Sequence, residues 1–153
     1  MTHAPTDARI VIYDDTCIFC TTWAQYVLKR DKKRQLYFTP LFGSYAQTFF
    51  TNNNLTDTEA LWLLEPDGTY YHSSTAVLRA VASLGGAHKV VLLALLVPRL
   101  LRDGIYGLIA RHRHKLFKNK TCPILSDDFA SRVFTDQPPF TEGTPPVSLP
   151  TQS

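Results

Sequence analysis

The chain has 153 residues, of which 44% are hydrophobic and 19% charged, and a formal net charge of +3. These values are ordinary for a globular protein, and the length suits one domain with a real core. The three cysteines are too few for a disulfide scaffold. Two of them stand three apart, which points to thiol chemistry or metal binding instead.

In chain order, residues 1–8 read as a loose leader. Arg9 to Tyr13 is apolar and β-branched and predicts a buried strand. Residues 18–30 carry Phe19, Trp23, Tyr26 and Val27 at helical spacing, with basic groups from Lys29 to Arg34 that suit the C-terminal end of a helix dipole. Trp23 and Tyr26 are expected as core or crevice aromatics. Gln35 to Thr39 predicts a second strand, ended by Pro40. This β-α-β order implies parallel strands.

Gly43 to Thr51 predicts a short helix and Asn52 to Asn54 a loop. Ala60 to Leu64 predicts a third strand. Pro66-Asp67-Gly68 is a turn, and Thr69 to His72 returns antiparallel. Ser73 or Ser74 is placed to cap a helix running to about Leu84, with Gly85-Gly86 ending it. Residues 88–97 and 99–117 predict further helix, interrupted by Pro98. Leu100, Leu101, Ile105, Leu108, Ile109, His112 and Leu116 fall close to one face. The prolines from Pro138 to Pro150 predict a disordered tail.

The element order β-α-β-α-β-β-α is thioredoxin-like. The fold class is therefore α/β, with an added C-terminal helical region at 88–117. The expected division is a leader over 1–8, the domain over 9–125 and a mostly disordered tail over 126–153.

The strongest local signal is Tyr13-Asp14-Asp15-Thr16-Cys17-Ile18-Phe19-Cys20. A strand ends in two acids, and a Cys-x-x-Cys follows where a helix should begin. Free N–H groups and the macrodipole at a helix N-terminus favour an anion. A thiolate there has a lowered pKa and is nucleophilic near neutral pH, as thiol–disulfide exchange requires. Cys17, closer to the helix end, is the expected attacking thiol and Cys20 the resolving one. Asp14 lies beside them in sequence, either as a proton shuttle for Cys20 or as a turn residue binding backbone N–H groups. A zinc site would need about four ligands. Only Cys122 and isolated histidines are on offer, so no metal is expected, and disulfide exchange needs no bound cofactor.

Asp14-x-x-Cys17-x-x-Cys20 after a strand resembles the DCC family of thiol-disulfide oxidoreductases. A second segment is similar to that family's C-terminal region: Pro98, Arg102-Asp103, Tyr106, the basic run Arg111 to Lys115, and Cys122. The resemblance covers roughly residues 9–125. It implies a thioredoxin-like fold, redox exchange at Cys17 and Cys20 with protein or small-molecule thiols and disulfides, and a role for Asp14. The sequence departs from the family in carrying Asp15 where Gly usually stands. A carboxylate there opposes a low thiol pKa at Cys17. The cis-proline common before the third strand of thioredoxin-like proteins has no counterpart in Asn54 to Glu59.

Charge is unevenly placed. Between Arg99 and Lys120 stand seven basic residues with His112 and His114 among them, against Asp103 alone. Such a stretch is either a solvated helix face or a contact for an anionic partner or membrane surface, giving a non-enzymatic interaction module as the alternative function. No specific nucleic-acid contact is expected. No segment approaches the ~18 consecutive apolar residues of a spanning helix. Met1 to Asp7 lacks the basic start and apolar core of a secretory signal. The expected location is the cytoplasm, where thiols are kept reduced and disulfides are transient or catalytic.

Overall fold

A computed structural model describes residues 8–15, 18–56, 60–116 and 127–136. The elements follow as β1 (Arg9–Tyr13), α1 (Ile18–Arg30), β2 (Leu36–Pro40), α2 (Ser44–Asn52), β3 (Trp62–Leu64), β4 (Tyr70–His72) and α3 (Ser73–Ser83). A 3₁₀ segment (Gly86–Leu96), α4 (Arg99–Leu116) and α5 (Asp127–Arg132) complete the order. The sheet order is β2-β1-β3-β4. β1 runs parallel to β2, with Arg9 opposite Leu36 and Tyr13 opposite Pro40. β3 is antiparallel to β1, and β4 to β3. This mixed sheet with its helices is the thioredoxin-like arrangement that the element order implies.

The apolar run of β1 follows from helices covering both faces of the sheet, since a strand covered twice has no polar side. Val11 and Tyr13 face one core with Ala24 and Val27 of α1 and Ala76 and Ala80 of α3. Ile10 and Ile12 face the other, with Tyr45, Ala46, Phe49 and Phe50 of α2 and Trp62 of β3. The second core is rich in edge-to-face aromatic pairs, among them Phe49 against Tyr70 at 5.5 Å and Tyr45 against Phe134 at 5.2 Å. The turn after β3 uses Gly68 at φ 87°, and α3 is followed by Gly85 at φ 77°, both in the left-handed region that favours glycine.

Several expectations need correction. Tyr26 is not a core aromatic. It is exposed on α1, with the Arg30 guanidinium 3.8 Å above its ring. Neither Ser73 nor Ser74 caps α3. Its N-cap is His72, without a side-chain cap hydrogen bond, while Ser73 adopts φ 53° and the Ser74 hydroxyl is turned to α4. The segment expected as helix over 88–97 forms a 3₁₀ run from Gly86 with no buried residue.

The boundary expected at residue 126 also moves. α5 packs near β2, Val133 bridges Phe38, and the Phe134 N–H donates to the Phe38 carbonyl at 3.0 Å. Arg132 is buried and donates to Asp31 Oδ2 at 2.8 Å, an oxygen that also accepts from the Leu36 N–H. The expected tail from Gln137 onward and the leader before Ala8 lie outside the described residues.

Candidate active site

α1 starts at Ile18, so in sequence the Cys-x-x-Cys straddles the start of the helix. Cys17 itself lies outside the described residues, as do Cys122 and the side chain of His114. Cys20 sits in the first turn and is only 7% exposed, packed in the core with Val11, Ala24 and Ala76. The strand-to-helix order thus sets Cys20 where orphan N–H groups and the dipole favour negative charge. Asp14 follows the last residue of β1 and is partly buried, whereas Asp15 is exposed. Burial, with the nearby Asp15 charge adding to it, pushes the Tyr13 phenol up to about 12. Tyr13 therefore stays protonated near neutral pH and is not a base.

Cys20 lines a cavity of about 140 Å³ with Trp23, Leu61, Val77, Tyr106, Ile109 and Ala110. The walls come from four places: α1, the residue before β3, α3 and α4. A dry apolar cavity of about this volume takes one benzene-sized group. Its polar atoms are few. The Tyr106 hydroxyl accepts a hydrogen bond from the Leu61 N–H at 3.2 Å, which ties α4 to the entry of β3.

α4 is fastened over this cavity by polar contacts. The Ser74 hydroxyl donates to Asp103 Oδ1 at 2.5 Å, and Arg99 Nε donates to Asp103 Oδ2 at 3.2 Å. Arg99 also reaches His72 Nε2 at 2.7 Å, and Arg102 donates to the Val97 carbonyl and the Ser74 and Thr75 hydroxyls. Burial works against the Asp103 charge, but the hydrogen bonds from Ser74 and Arg99 and the Arg99 charge outweigh it. The carboxyl is held below the usual carboxylate range.

The sequence-predicted Cys20 and Trp23 share this cavity. Tyr106, Ile109, Ala110, Leu61 and Val77 were not singled out as site residues. The one available signal was the Arg102-Asp103…Tyr106 run: these side chains turn inward, and helical spacing brings all three to one face. The basic stretch divides accordingly. Arg99 and Arg102 serve as fasteners, while Arg111, His112 and Lys115 are exposed. Among the described residues no three His, Cys, Asp or Glu side chains converge on a metal position.

A profile of the DCC1-like thiol-disulfide oxidoreductase family matches residues 11–119. The chain is also 30% identical over 134 residues to the uncharacterized protein YuxK of Bacillus subtilis (strain 168), covering 86% of this chain and 98% of that protein. No solved structure matches. The family match takes in the β1–α1 junction, the cavity and α4 together, and on that ground the chain belongs to the DCC1-like thiol-disulfide oxidoreductase family.

Proposed function

We propose that this protein exchanges a Cys17–Cys20 dithiol with the disulfide of a protein or small-molecule substrate. The Cys17 thiolate attacks one substrate sulfur, forming a mixed disulfide and releasing the other sulfur as a thiol. Cys20 then attacks the Cys17 sulfur, the second substrate thiol leaves, and the two electrons gained by the substrate come from the Cys17 and Cys20 thiols, which are oxidised to the 17–20 disulfide. Asp14 takes the Cys20 proton in the second step. The reverse sequence oxidises a substrate dithiol. The reaction needs no bound cofactor or metal. A cytoplasmic setting keeps the disulfide transient.

The observation that carries this reading is the position of Cys20 in the first turn of α1, lining an apolar cavity of about 140 Å³. Because the walls are apolar, the favoured substrate carries an apolar side chain beside its reactive sulfur, sized to one aromatic or branched aliphatic group.

The test is a trapping experiment. Cys17→Ser should abolish exchange, and Cys20→Ser should accumulate mixed disulfides with a peptide disulfide flanked by Phe or Leu. Trapping by Cys17→Ser instead would reverse the two roles. Absence of any exchange by the wild-type chain would overturn the reading.

A further inference from the structure

α4 is amphipathic in the opposite sense from a surface helix on a globular core. A helix of that kind turns its apolar stripe inward. In α4 the inward side holds Arg99, Arg102, Asp103 and Tyr106 against α3 and the entry of β3, with Ile109 and Ala110 its apolar share at the Cys20 cavity. The outward stripe is apolar. Leu100 is 90% exposed, Leu101 57%, Ile105 53% and Leu108 59%, and Leu96 just before the helix is 82% exposed. Ten of the twelve large hydrophobic side chains exposed among the described residues lie between Val90 and Ile109, so exposed apolar side chains concentrate in one stretch of the chain rather than scattering over it. A patch of this kind marks a surface that something covers.

The charges around it indicate what does. Lys89 precedes it in the chain and Arg111 and Lys115 follow it on α4, all three exposed. Asp103, the only acid between Lys89 and Lys120, is turned inward to Ser74 and Arg99. An exposed apolar stretch flanked along the chain by cations and free of outward acids suits a segment lying in a membrane interface, with its apolar side chains in the acyl boundary and its cations reaching anionic headgroups. No described helix is long and apolar enough to cross a membrane.

We infer that the exposed apolar face of α4 docks the protein on an anionic bilayer surface. The inference does not depend on the redox reading, although α4 would then lie between the bilayer and the Cys20 cavity.

The experiment is co-sedimentation of the full chain with vesicles of phosphatidylcholine alone or phosphatidylcholine mixed with phosphatidylglycerol. Binding is expected to the mixed vesicles and to fall steeply with added salt. Leu100→Gln/Leu101→Gln/Leu108→Gln should abolish it. Arg111→Gln/Lys115→Gln should weaken it about thirtyfold, since each surface cation contributes about fivefold. All five positions are on the outward side, and circular dichroism of the variants checks that the fold persists. Failure of the wild-type chain to bind the mixed vesicles, or equal binding to neutral ones, would overturn the inference. If light scattering then shows a dimer that the triple variant dissolves, the face belongs to a second copy.

Discussion

α2 and α4 are both held against the sheet domain, by opposite means. α2 buries Tyr45, Ala46, Phe49 and Phe50 and meets its neighbours through aromatic packing. α4 meets its neighbours mainly through a carboxylate, two guanidiniums and a phenol, with Ile109 and Ala110 at the cavity, and leaves its leucines outside. Apolar burial is insensitive to charge state and grows with the area removed from water. Polar fastening in a partly wet site is weaker and depends on pH and salt. α2 is thus part of the folding core, whereas α4 is an attachment that forms one wall of the Cys20 cavity and can respond to its surroundings.

The largest expected effect lies in the aromatic core. Phe49→Ala removes a ring that meets Phe50, Trp62 and Tyr70 and should cost about 3–5 kcal/mol in denaturant unfolding. Leu100→Gln on α4 should stay within about 0.5 kcal/mol of the parent chain. A large loss from Leu100→Gln would mean that the outer face of α4 already packs against protein.

Arg132→Ala should be comparably severe, about 3–5 kcal/mol, because it leaves Asp31 buried without its guanidinium. The check is the same unfolding curve, and a loss near zero would detach α5 from the stability of the domain.

A smaller effect distinguishes the α4 attachment. Asp103 has a carboxyl held below its ordinary 3.8. A lowered folded-state value means that its contribution is fully present above about pH 4 and is lost as pH falls through the folded-state value. Amide exchange along α4, corrected for intrinsic rates, should therefore lose protection on acidification before α2 does. Asp103→Asn should reduce α4 protection several-fold at pH 7 and remove its acid dependence. Identical acid profiles for α2 and α4 in the parent chain would remove the distinction between the two helices.

The same contrast explains what was legible in the sequence. β1 and α1 follow from unbroken local patterns, Arg9 to Tyr13 and Phe19-x₃-Trp23-x₃-Val27, and their boundaries emerge nearly as expected. The Cys-x-x-Cys position was readable for the same reason, since strand end, motif and helix start are contiguous. Polar attachments across long separations were not. Ser74 meets Asp103 from 29 residues away, and Arg132 meets Asp31 from 101. Nothing local in Asp127 to Arg132 signals a buried guanidinium, so that stretch read as part of the tail. Periodicity in α4 gave the apolar stripe but not its direction. Direction depends on what α3 and Leu61 offer, and they offer a hydroxyl and a backbone N–H. Tyr106, Ile109 and Ala110 reach the cavity only because of that choice.

The central claim is that Cys17 and Cys20 are one redox pair at the start of α1. Mild oxidation of the full chain, followed by alkylation of remaining thiols and peptide mapping, tests it most directly. A 17–20 crosslink that dithiothreitol reverses, with Cys122 alkylated, is the predicted result. Both cysteines alkylated after oxidation, or a crosslink made only through Cys122, would contradict it.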